Sequence, residues 1–286
     1  MKIIIGKTSG FCGGVLNAVS KTEQELEKEK GKTIYCLGEL VHNKQVVEKL
    51  EKKGLKIIDN IEEANEKAII RAHGVSKEVY EKANNKGIEI IDLTCPKVLK
   101  IHNTAEEYAK NGYFIVLVGV EEHPETIGTI SFCGENSCLI RNKEDINVTL
   151  DKIVKSNIKK ILILVQTTYS LQKFQEIVEE LQQKLNAEYK VYIQNTICSA
   201  TKLRQEETEK LSKQVDAMII VGGKNSSNTK KLYDIAKINC ANTELVETVK
   251  DLDIKNMKNY KIIGIMAGAS TPNESVEEIK NALMNT

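Results

Sequence analysis

Tryptophan is absent from this chain of 286 residues, proline occurs 3 times, and aromatic residues make up 5%. No Gly/Ser-rich linker or low-complexity tract is seen either, so any domains are joined tightly. Long apolar runs are missing too: the longest, Phe114–Val118 and Ile161–Val165, fall far short of the roughly 18–20 residues of a membrane span. The opening Met-Lys-Ile-Ile-Ile-Gly is too short for a secretory core of about 7–15 apolar residues, so the expectation is a cytoplasmic chain without a membrane partner. Excess charge of one sign is lacking, with 41 Lys and Arg against 40 Asp and Glu, which argues against a nucleic-acid partner and makes any anion site local. The 7 cysteines are odd in number, scattered through the chain and include no Cys-x-x-Cys, so a disulfide framework is not expected. Reduced thiols then serve as core filler, nucleophiles or metal ligands.

What is present is a soluble-type balance, 41% hydrophobic and 28% charged, arranged as short β-branched runs alternating with amphipathic Lys/Glu-rich segments. That pattern predicts an α/β fold with parallel sheets. Nine strands stand out: Lys2–Ile5, Thr33–Leu37, Ala68–Arg71, Glu89–Asp92, Phe114–Val118, Ile161–Val165, Lys190–Ile193, Ala217–Val221 and Lys261–Met266. Just past them stand Cys12, His42, His73, Cys95, His123, Thr167, Cys198, Ser226 and Ser270 in the same order. Ligands of open α/β sheets bind outside the carboxyl ends of strands, so these residues form a site by default. Cys95, His123 and Thr167 are spaced by 28 and 44 residues, and Cys198, Ser226 and Ser270 repeat the spacing at an offset of 103. The chain thus reads as an internal repeat of three similar three-strand domains, 1–94, 95–197 and 198–286, each contributing one cysteine. The prolines, Pro96, Pro124 and Pro272, suit helix first turns, which would aim unsatisfied N–H groups at an anion.

Three thiols, from Cys12, Cys95 and Cys198, suit zinc or an iron–sulfur cluster; a cubane normally takes four cysteines, so three leave one iron open. Zinc with three cysteines and a water is a rival that spacing does not exclude, as in a hydrolase, and a ligand-binding sensor without turnover is a lower-ranked third reading. Cys36, Cys133, Cys138 and Cys240 lack the strand-end placement and read as structural. His42, His73 and His123 suit metal ligation less well than hydrogen bonding to phosphate oxygens, because the turn Asn225–Asn228, which resembles an anion nest, and Gly268–Ser270 stand at equivalent strand ends. Glu125 is the one carboxylate placed to move a proton, with Thr167 as its relay, unless it only caps a helix. Glu121 and Glu122 are expected in solvent, and so is His102, which lies inside a helical pattern.

Taken together, GFCGGV, VHN, RAHGV, TCP, HPE, QTT, ICSAT, GGKNSSNT and AGAST, in this order over nearly the whole chain, resemble the 4-hydroxy-3-methylbut-2-enyl diphosphate reductase family. The resemblance implies three similar small α/β domains arranged pseudo-threefold around a central metal cluster, in which the N-terminal strand, within residues 1–13, can join the third. It implies a [4Fe-4S] cluster held by Cys12, Cys95 and Cys198, with one open iron for substrate. His42, His73, His123, Thr168, Ser226, Ser227, Asn228 and Ser270 would then hold an allylic diphosphate, with Glu125 and Thr167 handling its hydroxyl and proton. The implied reaction is a two-electron, two-proton reductive dehydration giving isopentenyl and dimethylallyl diphosphate. No Gly-x-Gly-x-x-Gly follows a strand, so a separate ferredoxin or flavodoxin is the expected donor.

Overall fold

A computed structural model describes residues 1–285. Its elements alternate in the order β1 (Lys2–Ile5), α1 (Gly13–Lys28), β2 (Ile34–Leu37), α2 (Lys44–Glu51), β3 (Leu55–Ile58), β4 (Lys67–Ile70), α3 (Lys77–Lys86) and β5 (Glu89–Asp92). There follow α4 (Pro96–Lys110), β6 (Phe114–Val118), α5 (Pro124–Ile130), β7 (Ser137–Ile140), α6 (Ile146–Ser156), β8 (Lys160–Val165), α7 (Leu171–Lys184) and β9 (Lys190–Ile193). The last part holds α8 (Ser199–Ser212), β10 (Ala217–Val221), α9 (Ser227–Asn239), β11 (Thr243–Val246), α10 (Ile254–Met257), β12 (Ile262–Ala267) and α11 (Asn273–Met284). Among the described residues no helix is long and apolar enough to cross a membrane.

The strands form three four-stranded sheets, β3-β2-β4-β5, β7-β6-β8-β9 and β11-β10-β12-β1, and every pairing is parallel. All three follow one plan: the second strand of the run lies at the edge, beside the first, then the third, then the fourth. In the last sheet the fourth place is taken by β1, with Lys2–Ile5 in register with Ile262–Ile265. The expected three-strand repeat is thus corrected to four strands. The additional ones, β3, β7 and β11, are the equivalent edge strand of each sheet. Each pairs with one neighbour only, shows mixed burial, and runs into a tight helical turn capped by Asn60, Asn142 or Thr248.

The chain divides into two compact units, one of Met1–Glu23, Val41–Lys53 and Ser199–Thr286, the other of Gln24–Leu40 and Gly54–Cys198. The first unit holds the β11-β10-β12-β1 sheet. Its β10 is buried along its whole length, with Ile219 and Val221 in one apolar cluster and Met218 and Ile220 in another. The second unit holds the other two sheets, and β6 shows the same alternation, Val116 and Val118 against Ile115 and Leu117. A parallel strand covered by helices on both faces has to be apolar at every position, which is why these central strands are continuous hydrophobic runs.

Candidate functional site

Cys12, Cys95 and Cys198 share one local geometry. Each lies between the fourth strand of its sheet and a helix that begins at the very next residue, α1, α4 or α8. Their backbone N–H groups donate to Ala269 O, Ala72 O and Thr167 O, each at 3.0 Å, and every acceptor lies just past the third strand. The three thiols are half-buried, whereas Cys36, Cys133, Cys138 and Cys240 are buried. Burial pushes the Cys36 and Cys133 thiols up to about 12 and raises Cys138, so these stay protonated fillers of the core.

The second unit places Glu125 and Thr167. His123 caps α5, with Pro124 next, and its Nδ1 accepts the Glu125 N–H at 3.2 Å. That acceptor role puts the ring proton of neutral His123 on Nε2. The His73 and His123 rings meet edge to face, centroids 5.5 Å apart. Glu125 is 2% exposed, and Thr167 closes on it twice: its N–H donates to Oε1 and its hydroxyl to Oε2, both at 2.6 Å. Burial outweighs these two bonds and raises the carboxyl to about 7. Gln166, a residue the sequence reading did not single out although it stands in the Gln-Thr-Thr motif, organises this corner. Its Oε1 accepts from Val120 N–H and Thr126 Oγ, and its Nε2 donates to Thr168 Oγ.

His102 is not in solvent as expected but 1% exposed, stacked on Phe132 at 4.3 Å. It occupies one position of the buried stripe Val98, Ile101, His102 and Ala105 of α4, whose spacing is that of a helical core face. Burial lowers its pKa to about 4. It floors the turn after His73: Gly74 has φ +74, and a Cβ there would lie 2.8 Å from His102 Cε1. Glu121 and Glu122 are exposed as expected.

In the first unit Ser226 caps α9, its Oγ accepting the Thr229 N–H at 3.3 Å, so Ser227 and Asn228 are the first two helical residues. Asn228 is 4% exposed, and neither Oδ1 nor Nδ2 has a hydrogen-bond partner. An unmet buried amide costs about 1–3 kcal/mol, and here it sits in the first turn of a 13-residue helix, where an anion is favoured. The His42 carbonyl accepts Ser270 Oγ at 3.1 Å and lies against Gly223, where a Cβ would come within 2.5 Å of it. His42, Ser226, Ser227, Asn228, Ser270 and the Cys12 loop are thus all anchored on one sheet. Their acceptors and donors suit a phosphate-bearing ligand, while the thiols suit a soft metal centre.

The sequence profile of the LytB protein family matches residues 3–284. A 4-hydroxy-3-methylbut-2-enyl diphosphate reductase of Caldanaerobacter subterraneus subsp. tengcongensis is 43% identical over 284 residues, covering 98% of this chain and 95% of its own. One from Clostridioides difficile is 42% identical over 287 residues and covers 100% of both chains. Among solved structures, the E-1-hydroxy-2-methyl-but-2-enyl-4-diphosphate reductase of Plasmodium falciparum superposes with a TM-score of 0.89 at 33% identity, over 99% of this chain and 88% of its own. A structure of (E)-4-hydroxy-3-methyl-but-2-enyl diphosphate reductase, described as the terminal enzyme of the non-mevalonate pathway, gives 0.71 at 39% identity over 100% of both.

Proposed function

The chain belongs to the LytB protein family, and from that membership and the side chains just described we propose that it is a 4-hydroxy-3-methylbut-2-enyl diphosphate reductase. It removes the terminal hydroxyl of (E)-4-hydroxy-3-methylbut-2-enyl diphosphate, taking up two electrons and two protons, releasing water, and forming isopentenyl and dimethylallyl diphosphate. The observation that carries the reading is the threefold recurrence of a half-buried thiol at a helix start. Cys12, Cys95 and Cys198 fit the donor set of a [4Fe-4S] cluster with one iron lacking a protein ligand, which when bound supplies one-electron reduction and a Lewis acid.

The remaining steps belong to the chain itself. His123 Nε2–H, the Asn228 amide and the first N–H groups of α9 supply donors to the diphosphate, and His42, His73, Thr168, Ser226, Ser227 and Ser270 complete its site. Glu125, raised to about 7, carries a proton at neutral pH and can still release it. The protonated carboxyl donates to Thr167 Oγ, and the hydroxyl passes its own proton outward to the departing oxygen. The Thr167 N–H, 2.6 Å from Oε1, steadies the carboxylate left behind. Repeat boundaries at 94/95 and 197/198, a cytoplasmic setting and a ferredoxin or flavodoxin donor belong to the same proposal.

The deciding experiment is an anaerobic absorption spectrum with iron and sulfide analysis, repeated after reconstitution and after adding the substrate and a chemical reductant. A brown protein whose spectrum responds to the substrate and that forms the two products supports the reading. A colourless protein that retains zinc and fails reconstitution overturns it in favour of a zinc hydrolase.

A further inference from the structure

We infer that Arg204 and Glu207 of α8 are positioning residues for Cys12, holding the β1–α1 loop in the one conformation that presents its thiol to a cluster. The inference rests on the ligand assignment above.

The segment between Ile5 and Cys12 has no regular structure to fix it, yet several of its polar groups are held by side chains and backbone distant in sequence. Glu207 accepts three hydrogen bonds, from Lys7 N–H at 2.7 Å, Thr8 N–H at 2.8 Å and Thr8 Oγ at 2.6 Å. Burial opposes its ionisation, but the bonds from Thr8 and Lys7 prevail and hold its carboxyl below the ordinary value, so it grips as an anion. Ser9 Oγ accepts the Ala267 N–H. Arg204, 5% exposed, reaches Gly10 O with Nη2 at 2.6 Å and Ala200 O with Nη1 at 3.1 Å. Gly10 itself has φ +97 and is covered on its other side by Asn273, whose Oδ1 would lie 2.1 Å from a Cβ at that position. Only glycine fits there.

Burying a guanidinium costs far more than burying an apolar side chain of its size, so packing alone does not account for Arg204. What the charge provides is a short, directed bond to the carbonyl two residues before the thiol. Thiol ligands on irregular loops depend on such outer partners to hold their sulfur in place. The arrangement also links two ligands along the chain, since α8 begins at the residue after Cys198.

The test uses the full-length chain, wild type and the variants Glu207→Gln, Thr8→Val, Arg204→Met and Arg204→Lys, with Glu209→Gln as a control on the same helix. Two rates are measured: iodoacetamide alkylation of Cys12, Cys95 and Cys198 in the cluster-free protein, read by mass spectrometry, and iron release to a chelator from the reconstituted protein. Loss of a bond to a charged group predicts alkylation of Cys12 about tenfold faster in Glu207→Gln and Arg204→Met. Cys95 and Cys198 should stay near their wild-type rates, iron release should accelerate, and Arg204→Lys should recover much of the loss. Should Arg204→Met fail to fold, Glu207→Gln and Thr8→Val decide. An unchanged Cys12 rate, or an equal rise at all three cysteines, overturns the inference. A wild-type chain that takes up no iron overturns the ligand assignment instead, and the alkylation arm still reports on the clamp.

Discussion

Replacing Glu125 with Gln tests the proton pathway at one atom pair. Gln keeps the shape, and its Oε1 still accepts the Thr167 N–H that the carboxylate accepts at 2.6 Å. Its amide nitrogen, however, can only donate toward Thr167 Oγ, and it carries no transferable proton. General acid catalysis contributes about 10²–10⁴-fold, so turnover should fall by roughly that factor with little change in KM. Wild-type turnover should decline above about pH 7, as the proton is lost, while the residual rate of the variant should be flat there. Stability supplies an independent check with a definite sign. The folded chain holds the Glu125 proton up to about 7, whereas the unfolded chain releases it near 4.5. Between these values folding takes up a proton, so the stabilising effect of the protonated form is complete below 4.5 and is lost as the pH rises to about 7. The difference amounts to about 3 kcal/mol. Gln does not ionise, so the variant should gain on the wild type by about that amount between acid and mildly alkaline buffer, read from urea midpoints. Turnover within about tenfold of wild type, or a stability difference that ignores pH, would refute the assignment.

Cys95→Ser should hold less than half the wild-type iron after reconstitution, while Cys36→Ser should hold as much as wild type at a cost in stability of about 1 kcal/mol for a hydroxyl in a fully buried site; iron analysis and melting curves decide both. Asn228→Ala removes an amide that has no partner, so the ligand-free variant should melt no lower than wild type, yet KM for the diphosphate substrate should rise about tenfold. A large drop in the ligand-free melting temperature would show that Asn228 is structural. His102 stays neutral in the fold, with its pKa lowered to about 4 from 6.5, so its contribution is intact above 6.5 and is lost as the pH falls toward 4. His102→Leu should flatten that acid-side slope, worth about 3 kcal/mol in wild type, in urea titrations across this window.

Central strands were legible because burial on both faces makes them unbroken apolar runs, as in Phe114–Val118 and Ala217–Val221. The edge strands β3, β7 and β11 were not, since sequences such as Leu-Lys-Ile-Ile and Thr-Glu-Leu-Val owe their conformation to a single neighbour rather than to a period of their own. The placement of the candidate site residues past strand ends was legible for a topological reason: a group that follows a parallel strand lands at the carboxyl end of its own sheet, whatever its partners. His102 was misread because a polar residue on a helix suggests solvent, whereas its spacing from Val98 and Ala105 places it on the packed stripe. Arg204 and Glu207 could not have been found by pattern. They lie in a charged, weakly periodic helix, and their partners are about 200 residues away in sequence.

The offset of 103 residues has a mechanistic side that emerges only from the hydrogen bonds. Glu125 and Asn228 are equivalent, each the second residue of its helix and each buried, and Thr167 and Ser270 are equivalent past the third strand. In the second unit the Thr167 hydroxyl turns to Glu125. In the first the Ser270 hydroxyl is given to the His42 carbonyl instead, which leaves the Asn228 amide without a partner. An ionisable group needs the hydroxyl beside it to pass a proton, whereas an amide that is to bind an anion must not be satisfied from within. On the proposed function, a single change of hydroxyl partner would separate proton delivery from anion binding on two copies of one scaffold. The same copies keep the cysteine N–H bonded to the same type of carbonyl at 3.0 Å, so the thiol positions are what the repeat holds constant while its other strand ends diverge.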